Sequence, residues 1–247
     1  MKNNMKSPVK EKKIKPALAL ATLVPFIAAT AAVVGVRLAN SALADSPPTP
    51  ANSTAFGKTL AQWQDTYFRW FAGQLAIAPD ANGNAAVGNV VLIPLPNAAG
   101  DGTPAELGVT LHSGQGFALP LLFLLGTSYT DGTPPDPLVS ANLFQTLNLN
   151  LQIDGVTVLS GGNAMRYYSQ FLFAPPIPIN SPPIDSVIWC EDIAILHTPL
   201  PVGTHTIKLD LNTTQPLPPN FGGGFLEFHN TWTVTVVPRD RLEKLIF

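Results

Sequence analysis

Glu191 and Asp192, adjacent carboxylates that follow Trp189 and Cys190, are the side chains whose types come nearest to chemistry. Carboxylates beside an aromatic ring suit sugar binding or general acid/base work on a glycosidic bond. Neighbours along a strand point to opposite faces, so these two act as one catalytic pair only across a bulge; a solvated turn is the simpler expectation. His112, His197, His205 and His229 offer imidazoles, but none stands two or four residues from another, the spacings that bring a pair to one metal. No metal and no cofactor is therefore expected. Asp131 and Asp136 carry oxygen ligands in a Gly/Pro-rich segment whose spacing matches no calcium loop, and turn capping is their expected role. Leu111-His112-Ser113-Gly114-Gln115-Gly116 comes nearest to a nucleophile elbow and lacks its first glycine. Phosphate-loop, haem-attachment and dinucleotide fingerprints are missing.

The N-terminus says where such residues would work. Lys2, Lys6, Lys10, Lys12, Lys13 and Lys15 precede an almost unbroken apolar run over 17–36, and Ala42-Leu43-Ala44 supplies small residues ahead of Asp45. This is the pattern of a secretory signal peptide over 1–44, cleaved before Asp45, and it implies a secreted, periplasmic or extracellular protein. A retained anchor is the alternative, since the run reaches the length that crosses a bilayer; Pro25 and the alanine-rich composition favour cleavage, after which no membrane span is expected. Beyond residue 44 the chain keeps seven Lys/Arg against fifteen Asp/Glu, a net charge of −8, which argues against nucleic acid as a partner. Cys190 is the one cysteine, so no intrachain disulfide forms and a hydrophobic core must hold the fold. A buried, inert thiol is the expected state of Cys190, with an intermolecular bridge or a nucleophilic role as alternatives.

The elements that must position these residues are mostly strands. Residues 45–58, rich in Pro, Ser, Thr and Asn, read as a flexible lead-in. Thr59-Leu60-Ala61-Gln62 has the form of a capping box, and Trp63, Tyr67, Trp70 and Phe71 then fall on one helical face ending near Gly73. Leu147, Leu149, Leu151 and Ile153 alternate with Asn148, Asn150, Gln152 and Asp154, one dry face and one amide-rich face, before an Asp154-Gly155 hairpin turn. The same alternation runs through His205–Leu211 and Thr231–Val236, and further strands are expected at 89–93, 107–112, 117–125, 166–173, 186–190, 193–197 and 224–229. The pattern predicts an all-β fold, an antiparallel β-sandwich or jelly roll with one N-terminal aromatic-rich helix packed on it, forming a single domain over 59–238 with a tail at 239–247. The run Phe117–Leu125 is apolar on both faces and so belongs to a covered strand, with Pro120 marking a bulge or edge. Residues 126–138 and 174–183, rich in Gly and Pro, read as stiff loops suited to a binding rim.

The order of these pieces resembles a family of exported bacterial β-sandwich proteins without an assigned activity. The similarity rests on Gln62-Trp63 to Trp70-Phe71, on Gly116-Phe117-Ala118-Leu119-Pro120, on Ile153-Asp154-Gly155, on Arg166-Tyr167, and on Pro199-Leu200-Pro201-Val202-Gly203-Thr204-His205-Thr206-Ile207. It spans most of 60–237 and implies a shared sandwich, with no catalytic residues to carry over.

These observations favour a non-catalytic exported protein that binds a glycan or another envelope or matrix component through its loop rim. Trp189, Tyr129, Tyr167 and Arg166 are the candidate ligand-binding residues, because aromatic platforms beside amides suit sugar rings and hydroxyls. A secreted hydrolase using Glu191 or Asp192 is one alternative. A self-associating structural protein with long apolar strands is another.

Overall fold

The structure, a computed structural model, describes residues 47–239; the leader, the cleavage position and all of the tail after Arg239 lie outside the described residues. Over the described part of the expected lead-in, from residue 47 on, the chain makes defined contacts as a strap. Pro48 is buried and its carbonyl accepts the Tyr167 hydroxyl proton, Thr49 bridges to Leu196, and β1 (Thr54–Ala55) pairs with β2 (Lys58–Thr59). Helix α1 (Leu60–Phe71) begins where its sequence says it should: Thr59 Oγ1 accepts from the Gln62 amide while Gln62 Oε1 accepts from the Thr59 amide. Trp63, Tyr67 and Trp70 are buried as expected, joined by Leu60, Gln64 and Phe68, whereas Phe71 in the last turn is exposed.

Two five-stranded sheets follow. The first holds β3 (Ala85–Val87), β4 (Val90–Leu92), β6 (Gly116–Tyr129), β10 (Ile184–His197) and β9 (Tyr168–Ser181), in that spatial order. The second holds β5 (Ala105–His112), β12 (Glu227–Val237), β11 (Gly203–Asn212), β7 (Asn148–Ile153) and β8 (Val156–Ser160). A short helix, α2 (Asn142–Gln145), precedes β7, and a 3-10 turn over Gly161–Tyr167 follows β8. The sandwich is not purely antiparallel, because β4 runs parallel to β6 and β5 parallel to β12. Asp154 and Gly155 turn β7 into β8 with φ of 52° and 82°, the two left-handed residues of a tight hairpin.

The dry faces of the two sheets meet in one core, which takes Leu149, Leu151 and Ile153 from β7, Ile207 and Leu209 from β11, Trp232 and Val234 from β12, and Ile193 and Ile195 from β10. A second core fills the seam between the first sheet and α1, with Trp63, Tyr67 and Phe68 on Phe173, Cys190, Ala194 and Leu196. Strands β6 and β10 are therefore covered on both sides, as the doubly apolar run through Phe117–Leu125 anticipates. Pro120 does mark a bulge: Ile193 pairs with Leu122 and Ala194 with Pro120, which sends both Leu121 and Leu122 into the inter-sheet core.

Of the two stretches expected to be loops, 174–183 is largely strand, while 126–138 is strand only to Tyr129 and irregular beyond it. Residues 174–183 extend β9 and close the hairpin into β10, their prolines tolerated because β9 is an edge strand with a free side that needs no amide donors. Strand β6 likewise continues to Tyr129, and only the segment after it is irregular. Arg166 and Tyr167 lie in the 3-10 turn rather than opening a strand, and 186–190 with 193–197 form one continuous β10. Asp136 stitches the irregular segment to the edge of β6: its carboxylate accepts from the Thr127 amide at 3.0 Å and the Tyr129 hydroxyl at 3.1 Å, and its carbonyl accepts from Trp189 Nε1 at 2.9 Å.

The Trp189 indole reaches Asp136 by crossing β6 at Gly126, where a Cβ would stand 1.8 Å from the ring. Gly126→Ala is expected to cost about 2 kcal/mol or more through overpacking. Urea unfolding of the variant measures this, and an unchanged midpoint would contradict the packing described.

Candidate functional site

The residues singled out from sequence separate into two buried places and a surface. Glu191 and Asp192 do not form a solvated turn; they lie inside β10 with exposures of 1% and 0%. They point to opposite faces, as strand alternation requires. Glu191 shares the face of Trp189, Ile193 and Ile195 in the inter-sheet core, and accepts from the Val139 amide at 3.1 Å. Desolvation pushes its carboxyl above the usual range, and the Val139 amide and Tyr168 hydroxyl pull it part of the way back. Asp192 shares the face of Cys190 and Ala194 toward α1, where Ser169 Oγ donates to its Oδ1. Asp192 Oδ2 has no hydrogen-bond partner among the described residues, and neither do the two amide atoms of Gln64, which sits on the buried face of α1 between Leu60 and Phe68. Cys190 is fully buried as anticipated, and desolvation pushes its thiol well up, so it is held as a neutral thiol.

Trp189 and Tyr167 are core residues with exposures of 2% and 3%. Their polar atoms are engaged by the Asp136 and Pro48 carbonyls, so their rings present no open face to a ligand. Tyr129 is half-buried against Asp136, and Arg166 is exposed in the 3-10 turn, where its carbonyl accepts from the Ala51 amide. Trp189 and Tyr129 meet at Asp136, whereas Tyr167 and Arg166 lie under the N-terminal strap. The four do not converge on one platform.

A different set does converge. The outward, polar positions of β7, β11 and β12 form the floor of a groove of about 570 Å³ on the open face of the second sheet. Asn148 and Asn150 come from β7, Asp210 and Asn212 from β11, Glu227 and His229 from β12. Register explains the grouping, because Asn150 pairs with Asp210 and Asp210 with His229, while Asn148 pairs with Asn212 and Asn212 with Glu227. Gln145 and Thr146 after α2 and the Gly161-Gly162 turn raise the walls. Gly161 is needed there, since a Cβ would lie 2.4 Å from the Leu147 carbonyl oxygen.

Within the groove His229 is held from both sides. Its Nδ1 is 2.8 Å from Asp210 Oδ1 and its Nε2 is 2.9 Å from Glu227 Oε1, and Lys208 Nζ donates to the other Asp210 oxygen at 2.8 Å. The Asp210 bond first, and the Glu227 bond second, hold the imidazole above the ordinary histidine value. Asp210 goes the other way: against desolvation, the bonds from Lys208 and His229 hold its carboxyl below the usual range. The Asn150 side chain accepts from Thr157 Oγ1 at 3.0 Å, while among the described residues no hydrogen bond holds the Asn148 and Asn212 amides. Sequence spacing weighs His229 only as a metal ligand; its register partners are the signal that spacing lacks. The other histidines with side-chain partners are structural, His205 bonding Asp154 Oδ2 at 2.7 Å and His197 stacking on Phe117.

Compared with known proteins, the chain matches no family model, no curated protein and no solved structure.

Burial raises the Asp192 carboxyl to about 7. A carboxyl raised on folding binds its proton more tightly in the folded than in the unfolded chain, so its contribution favours the fold at low pH. That contribution is lost as pH rises from the ordinary carboxylate range to about 7. Asp192→Asn, which keeps the acceptor for Ser169, is expected to be more stable than the parent above that pH by a few kcal/mol, on the order of 1.4 kcal/mol for each tenfold gain in proton affinity on folding. The gap should shrink on acidification; parallel stability curves from denaturant titrations across pH would contradict it.

Proposed function

We propose that this chain is an exported, non-catalytic binding protein that holds a hydroxyl-rich ligand, a glycan or another cell-envelope component, in the groove on the open face of its second sheet. The observation that carries this reading is the set of unspent amides: Asn148 and Asn212 line a concave space, and among the described residues no hydrogen bond uses their side chains. Sugar hydroxyls need donors and acceptors together, and a side-chain amide supplies both from one position. The groove of about 570 Å³ lies in the range typical of small-ligand sites. Its lining contains no Trp, Tyr or Phe, so recognition here would rest on hydrogen bonding rather than ring stacking. The lysine-rich leader and Ala42-Leu43-Ala44 support export, and a net charge of −8 after residue 44, from seven Lys/Arg and fifteen Asp/Glu, suits a neutral ligand better than a polyanion.

The position of Glu191 and Asp192 weighs against the hydrolase alternative, because the two face different cores and neither lines the groove. Self-association through β9 is disfavoured by Pro175, Pro176 and Pro178 on that edge.

Calorimetry or affinity electrophoresis against a panel of neutral polysaccharides tests the reading. At least one member is expected to bind, with Asn148→Ala combined with Asn212→Ala losing about tenfold or more, since truncation removes hydrogen bonds worth roughly 1 kcal/mol each. Tyr129→Phe should bind as the parent does. Loss in the Tyr129 variant with the double variant unaffected would return the site to the loop rim, and no binding by the parent would contradict the proposal.

A further inference from the structure

His229 is gripped by carboxylates at both nitrogens, an arrangement that a sheet surface does not need for stability and that stands on the floor of the groove. A neutral imidazole has one N–H, so it donates to one carboxylate only; the doubly protonated ring donates to both. With that ring, Lys208 and His229 balance Asp210 and Glu227 in charge. Removing one ring proton leaves one surplus negative charge and one carboxylate without its donor. The two carboxylates are unequal in what remains to them. Asp210 keeps Lys208 at 2.8 Å, and its side chain is 34% exposed; Glu227 has the imidazole as its one ion-pair partner among the described residues, sits at the first residue of β12, and is 58% exposed. The other charged residues nearby are acidic: Glu106 of β5 lies across from Thr231, and Asp101, whose backbone pairs with that of Glu227, has its carboxylate held by the Asn97 side chain and the Thr103 amide. Strand β7, α2 and the Gly161-Gly162 turn bring only uncharged side chains to the groove. Repulsion therefore falls on Glu227, with no fixed cation besides Lys208 among the described residues to restrain it.

We infer that His229 gates the groove: the doubly protonated ring holds Glu227 as part of a charge-balanced floor, and loss of its second ring proton to solvent frees Glu227 and leaves an unpaired carboxylate in the ligand's path. This rests on the groove being the ligand site. A neutral glycan would then be held more tightly in acidic surroundings and released in alkaline ones. The upward displacement of the His229 titration by its two carboxylates, Asp210 first and Glu227 second, agrees in direction.

Two measurements on the intact protein separate the gate from the site. Imidazole nitrogen NMR reads the ring without any ligand: both nitrogens should be protonated near pH 6 and one should lose its proton above the usual histidine midpoint. The Glu227 carboxyl carbon should shift in the same step, and Glu227→Gln should lower the midpoint. A ring with a single proton near pH 6, or a Glu227 signal that ignores the His229 transition, would overturn the gate. The second measurement repeats the neutral-polysaccharide panel at one pH below and one pH above the His229 transition read by NMR. Binding about tenfold weaker at the higher pH, and insensitive to pH in His229→Gln, is expected. Binding that is equal at both pH values overturns the gate while sparing the site; no binding at either overturns the site, with the NMR titration still deciding whether Glu227 follows His229.

Discussion

Covering β6 and β10 on both faces is the constraint on which the rest of this structure depends. With a single cysteine there is no disulfide to hold the chain, and one sandwich interface is supplemented by a second seam in which α1 lies across the back of the first sheet. Each large apolar side chain taken fully out of water contributes about 1.5–3 kcal/mol, so the Trp63, Tyr67 and Phe68 face of α1 is a substantial part of what keeps the sheet closed. The N-terminal strap serves the same seam by joining Pro48 to Tyr167 and Thr49 to Leu196.

The same constraint sorts the polar residues. A strand buried on both faces cannot offer carboxylates to solvent, and so Glu191 and Asp192, which in a one-sided sheet would have placed one group outside, are both interior. Glu191 is compensated by an amide and a hydroxyl; Asp192 has only Ser169 and is driven toward its neutral form. Among the described residues the second sheet has no helix on its outer side. Its outward positions stay wet, and the antiparallel register of β7, β11 and β12 aligns their amides, carboxylates and imidazole into one concave strip. Architecture thus leaves one sheet face free to carry recognition chemistry while the other sheet is committed to stability.

Much of this is legible in the residues. Thr59 to Gln62 announces the helix start, the Leu147–Ile153 alternation announces a half-wet strand, and the doubly apolar run around Phe117–Leu125 announces a covered one, because each is a local consequence of geometry. The proline-rich hairpin into β10 reads as a loop since prolines on an edge strand look, in one dimension, like those of an irregular segment. The expected rim of aromatics dissolves for a related reason: in sequence Trp189 stands two residues from Glu191 and Tyr167 next to Arg166, but their neighbours in space are Gly126, Asp136 and Pro48. The groove is half visible. The amide-rich face of β7 is clear, but the pairing that sets Asp210 between Asn150 and His229 depends on strand order, which alternation alone does not encode.

If the open face of the second sheet, and not the loop rim, meets the ligand, backbone amide NMR during addition of a polysaccharide from the binding panel will show it most directly. Shifts are predicted to cluster on Asn148, Asn150, Asp210, Asn212 and His229, with the amides around Trp189 and Tyr129 unmoved. Shifts centred on Trp189 and Tyr129, leaving β7, β11 and β12 unchanged, would contradict it.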